Sequence, residues 1–332
     1  MFRSVLFSIL LFNFASTAFS SAEKDRYLLT RSRMPLVYET GEGFKTSDKK
    51  VVVGLPLTFE TLSVIDSLRR NFKDITVIPQ SSGENSSTQP GVFKYLQSWG
   101  IRYFTDATEK SRLKALSNNP DIVIDCSFML GEVAVKHGLL SEETLLIEDT
   151  KTGENRILEL EKEYEINFPY LILDNSIYKR AYENARGIGY SVVGSLMSMG
   201  FFLPNYKLTI VGFGYVGSGL AHYARVLGAD VTIVDIDPYK RKIAAKNGYK
   251  VRSLQVALES TDILITATGK EQVVVKEDLQ GLNRRIILAN AGGEEEWNRK
   301  NMFGGSSGKQ IHEHIFRFMG IFEQSPTAHP RS

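Results

Sequence analysis

The chain has 332 residues, of which 42% are hydrophobic and 23% charged, so it can bury two cores of ordinary domain size and is not disordered throughout. Its 40 Lys and Arg against 38 Asp and Glu give a formal net charge of +2, and the two signs are interleaved. That leaves no basic face for a phosphate backbone, so no nucleic-acid partner is expected. The single cysteine, Cys126, excludes an internal disulfide.

In chain order, Arg3, an apolar run over residues 5–14 and the small residues Ala18, Ser20 and Ser21 form the pattern of a secretory signal peptide. The run is too short to span a bilayer as a stable helix. The expectation is cleavage near Ser20 or Ser21 and a secreted or periplasmic mature chain without a stable membrane span, cytoplasmic if the leader is not functional. Residues 23–50, charged and turn-rich with Pro35, Gly41 and Gly43, read as a peripheral arm.

From there strands and helices alternate. Strands are expected over 51–55, 74–78, 101–104 and 121–126, and helices over 58–70, 91–99 and 109–117. Residues 145–147, 156–164 and 170–173 continue as strand, helix, strand. This is the pattern of a mostly parallel sheet covered by helices. Residues 83–91 form a polar loop at a strand end, where such folds place binding residues. Residues 176–202 read as a connecting helix with a hinge at Gly187, Gly189 and Gly194, and residues 207–211 open a second α/β region as a strand.

The segment LTIVGFGYVGSGLA sets Gly212, Gly214 and Gly217 in G-x-G-x-x-G order between an apolar strand and a helix, with Tyr215 and Val216 inside the turn. Gly212 allows the tight turn, Gly214 lets the backbone approach a pyrophosphate, and Gly217 lets the helix pack on the strand, with Gly219 extending that packing. The next strand, 230–234, ends at Asp235, placed for the ribose hydroxyls of NAD and against the extra phosphate of NADP. Asp237 before Pro238 reads as a helix cap, and Lys240, Arg241 and Lys242 as a solvated helix face. Two further strands, 261–266 and 285–289, end in Thr268 with Gly269 and in Asn290 with Gly292 and Gly293, residues expected to border the nicotinamide half.

These segments together resemble the S-adenosylhomocysteine hydrolase family. The fingerprint, GADVTIVDIDPYK, TDILITATG, LANAGG, LIEDTKTGENRI, LDNSIYKRAYENARG, LTFET and SSTQ all find counterparts there, over residues 50 to 300. The resemblance implies an α/β fold with two Rossmann-like three-layer α/β/α domains, the second an NAD(P)-binding Rossmann domain. Its implied division is a leader over 1–21, a substrate-type domain over 22–190, an NAD-binding domain over 191–303 and a tail over 304–332. It implies NAD as a tightly held, recycled oxidant and a nucleoside-like ligand. Lys179 matches the lysine that assists oxidation of the 3′-hydroxyl, and Asn184 a polar partner beside it. Glu183 stands where the family has an aspartate. Thr58, Glu60 and Asp149 match substrate-side positions, and Thr150 and Thr152 cofactor contacts.

Departures fall where the family does its proton chemistry. Cys126 stands in place of a catalytic aspartate, Pro56 and Gly293 in place of histidines, Ile188 in place of a cysteine, and Asp149 and Lys151 in place of a glutamate and a threonine. Cys126 reads as a small buried side chain at a strand end rather than a nucleophile. His137 and His222 offer no substitute, and His312 and His314 lack a metal-binding pattern, so no metal is expected. The family's returning segment and its lysine and tyrosine tail have no counterpart here, which makes a homo-oligomer, a dimer, the expectation. The sequence therefore reads as an NAD-binding homologue with a degraded hydrolytic site that binds a nucleoside-like ligand or performs a partial redox step. An active adenosylhomocysteinase and another NAD-dependent dehydrogenase are the alternatives.

Overall fold

The structure is a computed structural model that describes residues 19–83, 86, 88–280, 282, 286–292 and 315–317. The chain divides into two compact units, Met1–Leu173 and Asp174–Ser332.

The first unit is built on a six-stranded sheet of order β3-β2-β1-β4-β5-β6. Its strands are β1 (Ser47–Leu55), β2 (Phe72–Pro79), β3 (Arg102–Tyr103), β4 (Ile122–Asp125), β5 (Leu145–Glu148) and β6 (Tyr170–Ile172). All neighbours pair in parallel. β1 is the central strand and is buried on both faces, as its continuous apolar run requires. Val51 and Val53 join Leu62 and Ile65 in one core, whereas Val52 joins Phe128, Leu130 and Leu146 in another. The chain runs from β1 to β2 on one side and later returns to β4 on the other. The carboxyl ends of β1 and β4 therefore flank the point where strand order reverses, where such sheets bind ligands.

Residues 23–50 are not a loose arm. They form α1 (Ser21–Ser32) and α2 (Pro35–Glu42), both packed on α3 (Phe59–Asn71). A capping box starts α1: Ser20 Oγ accepts from Glu23 N at 3.1 Å, and Glu23 Oε2 accepts from Ser20 N at 2.9 Å. Tyr27, 7% exposed, donates to the buried Asp66 at 2.9 Å. That bond ties the charged-looking segment into the core, and composition alone does not display it. The expected helix over 156–164 starts earlier, as Lys151–Leu160, because Thr150 caps it.

The second unit carries a six-stranded sheet of order β12-β11-β10-β7-β8-β9, again parallel throughout. The strands are β7 (Lys207–Val211), β8 (Asp230–Val234), β9 (Lys250–Val251), β10 (Ile263–Thr266), β11 (Ile287–Asn290) and β12 (Ile315–Arg317). Leu208 and Ile210 of β7 pack with Leu220, Ala224, Val193 and Leu196 in its core.

The segment expected as a hinged helix is a π-helix, Tyr178–Ile188, continuing directly into an α-helix, Gly189–Ser198. Its glycines are not breaks. Gly189 holds helical dihedrals, and a Cβ there would stand 2.7 Å from the Gly219 carbonyl carbon. A Cβ on Gly219 would in turn overlap the Ala185 carbonyl. The small residues let this helix cross the fingerprint helix Tyr215–Val226 closely. Among the described residues no helix is long and apolar enough to cross a membrane.

Candidate functional site

In the second unit, strand order reverses between β7 and β10, and the glycine loop lies at the carboxyl end of β7. Gly212 has φ 99°, a conformation closed to most side chains, and its N–H donates to Val234 O at 2.8 Å. A Cβ on Gly217 would overlap the Gly212 carbonyl, so this residue lets the helix meet the loop. Gly214 differs: among the described residues no heavy atom lies within 4 Å of a Cβ built on it. Among the described residues nothing needs that position bare, and the space beside it is open to close approach by a ligand. Tyr215, 48% exposed, opens the helix, and Val216 packs on the core.

Asp235 closes the loop from the end of β8. Its Oδ2 accepts from Phe213 N at 2.7 Å and its Oδ1 from Asp237 N at 2.8 Å. A carboxylate has about four acceptor sites, so about two remain for a ribose diol. Asp237 caps the next helix, accepting from Tyr239 N at 2.8 Å. Arg241 corrects the solvated-face reading. Its guanidinium donates to the carbonyls of Asp235 and Ile236 at 2.9 and 2.7 Å and fixes the turn that carries Asp235. Thr268 and Gly269 follow β10, where Thr268 Oγ1 accepts from Lys270 N at 3.1 Å. Asn290 ends β11, is 3% exposed, and accepts from Gly292 N at 2.9 Å. Gly293, His312 and His314 lie outside the described residues. The open cradle at Gly214, the exposed helix start and the free acceptor sites of Asp235 fit a dinucleotide such as NAD.

The π-helix carries the other expected residues of this unit. Such geometry is rare in proteins and concentrates at functional positions. Lys179 Nζ pairs with Glu183 Oε1 as the spacing predicts, with the Lys179 side chain 9% exposed and that of Glu183 47% exposed. Asn184 donates to the buried Asp174 at 2.8 Å, and Arg180 Nε lies 3.7 Å from the same carboxylate. Ile188 packs against the core.

The first unit gathers polar groups at the carboxyl ends of its central strands. Thr58 caps α3 and accepts from Thr61 N at 3.2 Å. Glu60 lies two residues further on, and its Oε2 is buried without a hydrogen-bond partner among the described residues. The Pro56 carbonyl accepts from Thr61 Oγ1 at 2.6 Å. Beyond β4, Ser127 and Phe128 both take left-handed backbone, with φ 62° and 53°. Glu148 at the end of β5 holds them there. Its Oε1 accepts from Ser127 N at 3.0 Å and its Oε2 from Phe128 N at 2.8 Å.

Asp125 at the end of β4 accepts from the backbone N–H groups of Cys126, Leu130 and Gly131 at 2.8 to 2.9 Å. Burial, and then repulsion from Glu148, raise its pKa to about 8 against the pull of those donors. Burial likewise holds Glu148 above the usual carboxylate range. Cys126 is 7% exposed, and burial with its carboxylate neighbours pushes its thiol well above the ordinary value. A thiol so placed stays protonated at neutral pH.

The Thr150 hydroxyl donates to Glu148 Oε1 at 2.6 Å and accepts from Ser127 N at 3.1 Å and Gly153 N at 3.0 Å. That uses a hydroxyl's one donor and two acceptors, so a ligand would meet the Thr150 backbone or methyl. Thr152 is buried, and Asp149 N donates to Asp125 O at 3.1 Å. Sequence reasoning passed over Asp125, Ser127, Glu148 and Gln80. An acid closing each of the apolar runs IVID and LLIE is the signal that was available for the two carboxylates.

Fold and glycine cradle together define a doubly wound α/β protein of the dinucleotide-binding class. Residues 185–303 match the family model described as S-adenosyl-L-homocysteine hydrolase, NAD binding domain. The chain is 30% identical over 289 residues to the S-inosyl-L-homocysteine hydrolase of Methanopyrus kandleri, covering 82% of this chain and 67% of that one. It is 30% identical over 286 residues to the adenosylhomocysteinase of Aeropyrum pernix, covering 82% and 66%. With the adenosylhomocysteinase of Thermotoga maritima it shares 31% identity over 218 residues, covering 62% and 53%. The chain thus spans about two thirds of the length of the first two relatives and about half of the third. It belongs to the S-adenosyl-L-homocysteine hydrolase family, as a divergent member.

Proposed function

We propose that this protein holds NAD and a nucleoside-like ligand and has lost efficient hydrolysis, retaining at most a partial redox step. One contrast carries the reading: the glycine cradle with Asp235 is complete, whereas proton-transfer positions are not. Cys126 is a buried, protonated thiol and Pro56 has no proton to give. Elimination and hydration of a thioether both need a placed acid and base.

Gly212, Gly214, Gly217 and Asp235 would hold NAD, with Thr268, Gly269 and Asn290 at the nicotinamide end. When bound, NAD supplies the hydride acceptor. Lys179 would pass a proton to Glu183, its ion-pair partner, and the neutral amine so formed would take the proton of a ligand hydroxyl as its carbon loses hydride. Thr58, Glu60 and Asp149 would face the ligand in the first unit. Relatives named for adenosyl and for inosyl substrates support a purine nucleoside and leave its 6-substituent open. We further propose a homodimer, and export directed by the leader. Phe19 stacks on Tyr95 at 4.1 Å and Ser20 caps α1, so a cut before Phe19 preserves both and a cut after Ser20 removes both.

The test mixes NAD-loaded protein with adenosine, S-adenosylhomocysteine or S-inosylhomocysteine, following NADH absorbance and homocysteine release together. NADH without homocysteine, or ligand binding with neither signal, supports the reading. Sustained homocysteine release that depends on Lys179 overturns it and restores the hydrolase.

A further inference from the structure

Gln80 follows β2 and is 7% exposed. Its N–H donates to the Leu55 carbonyl at 3.1 Å, so it stands beside the carboxyl end of β1. Its side chain lies within hydrogen-bond distance of Ser127, Nε2 to Oγ at 3.4 Å. Because β1 lies between β2 and β4 in the sheet, this contact spans the end of β1 at the reversal of strand order. The other end of the amide, Oε1, is buried and has no hydrogen-bond partner among the described residues.

A buried acceptor left unmet costs about 1–3 kcal/mol, and folded proteins retain few such atoms. The carboxyl ends of strands at a reversal of strand order are where doubly wound sheets admit ligands. Glu60 Oε2, in the first turn of the helix that follows β1, is a second buried acceptor without a partner among the described residues. A buried acceptor without a partner calls for a ligand that offers a hydrogen-bond donor.

We propose that Gln80, held by Ser127, is a ligand-binding residue of the first unit, whose carbonyl accepts a hydrogen bond from a hydroxyl or amino group of a nucleoside. The proposal rests on the nucleoside reading above and adds the residue pair that orients the ligand over Pro56, where side-chain polarity is missing.

The experiment titrates adenosine calorimetrically into the full NAD-loaded chain, comparing wild type with Gln80→Met and Ser127→Ala. Gln80→Met is expected to weaken adenosine binding about three- to tenfold, the worth of one neutral hydrogen bond. NAD loading should stay unchanged, and the thermal midpoint without adenosine should not fall, because the unmet acceptor is gone. Ser127→Ala should weaken adenosine by a smaller factor through loss of the group that holds the amide. If Gln80→Met also loses NAD and so fails to fold, Ser127→Ala decides. Unchanged adenosine affinity in the folded variants overturns the inference alone. A wild-type chain that loads NAD but binds no adenosine overturns the nucleoside reading and the inference with it.

Discussion

The fingerprint glycines separate folding from cofactor binding, and replacing each by alanine should expose the difference. Gly214 has φ −79° and ψ −160°, extended backbone that alanine adopts, and its Cβ would meet nothing within 4 Å among the described residues. Gly214→Ala should therefore fold with a urea midpoint close to wild type. Its methyl group would stand where the pyrophosphate approaches, displacing one hydrogen bond to a charged group, worth about 1.5–3 kcal/mol. That predicts NAD affinity lower by about ten- to a hundredfold. Gly217→Ala instead drives a methyl into the Gly212 carbonyl. Overpacking of that kind costs about 1–3 kcal/mol, of which alanine's better helix propensity returns at most about 1. It should lower the urea midpoint and NAD affinity together. Calorimetry with NAD and urea unfolding on both variants decide the matter. Wild-type NAD affinity in Gly214→Ala would refute the cradle, and equal destabilisation by both variants would refute the packing argument.

Wild type should prefer NAD to NADP and Asp235→Ala should lose most of that preference; equal calorimetric affinities of wild type for the two would refute it. The raised pKa of Asp125 means that the folded state binds its proton more tightly than the unfolded chain does. Stability from this carboxylate is thus present at low pH and lost as pH rises from the ordinary carboxylate range to about 8. The urea midpoint should fall across that window, and a rise would contradict the assignment. Tyr27→Phe deletes the 2.9 Å bond to Asp66, which keeps Arg69 at 2.6 Å. A loss of about 1–2 kcal/mol is expected, and no loss on urea unfolding would mean that α1 lies outside the cooperative unit.

The second unit was the more legible of the two because its signals are local. A glycine pattern between a strand and a helix, followed by an acid closing the next strand, is readable without tertiary contacts, and Lys179 and Glu183 meet because their spacing makes them meet. The first unit depends on contacts distant in sequence. Tyr27 finds Asp66 across 39 residues and Gln80 finds Ser127 across 47, and neither pairing leaves a spacing to read. The capping box at Ser20 and Glu23 was readable, but the charged composition of its surroundings hid it. Thr150 was read through family resemblance as a cofactor contact, and the structure adds that its hydroxyl caps a helix and donates to Glu148.

Ser127 and Phe128 carry the most informative of these distant dependences. Left-handed backbone costs about 1–2 kcal/mol at each non-glycine residue, so two in succession need a cause. Glu148 supplies it, since hydrogen bonds to a charged group contribute about 1.5–3 kcal/mol each, and its carboxylate receives one from each of the two N–H groups. The strain fixes the turn that brings the Ser127 hydroxyl to Gln80. A glycine would make that turn at little conformational cost, so replacing the serine by glycine separates its backbone role from that of its hydroxyl. Ser127→Gly should relieve about 1 kcal/mol of backbone strain, offset in part by the greater freedom of glycine in the unfolded chain. Its urea midpoint should equal or exceed that of wild type while adenosine binding weakens. A variant both less stable and undiminished in adenosine affinity would show that the serine serves the fold and not the ligand.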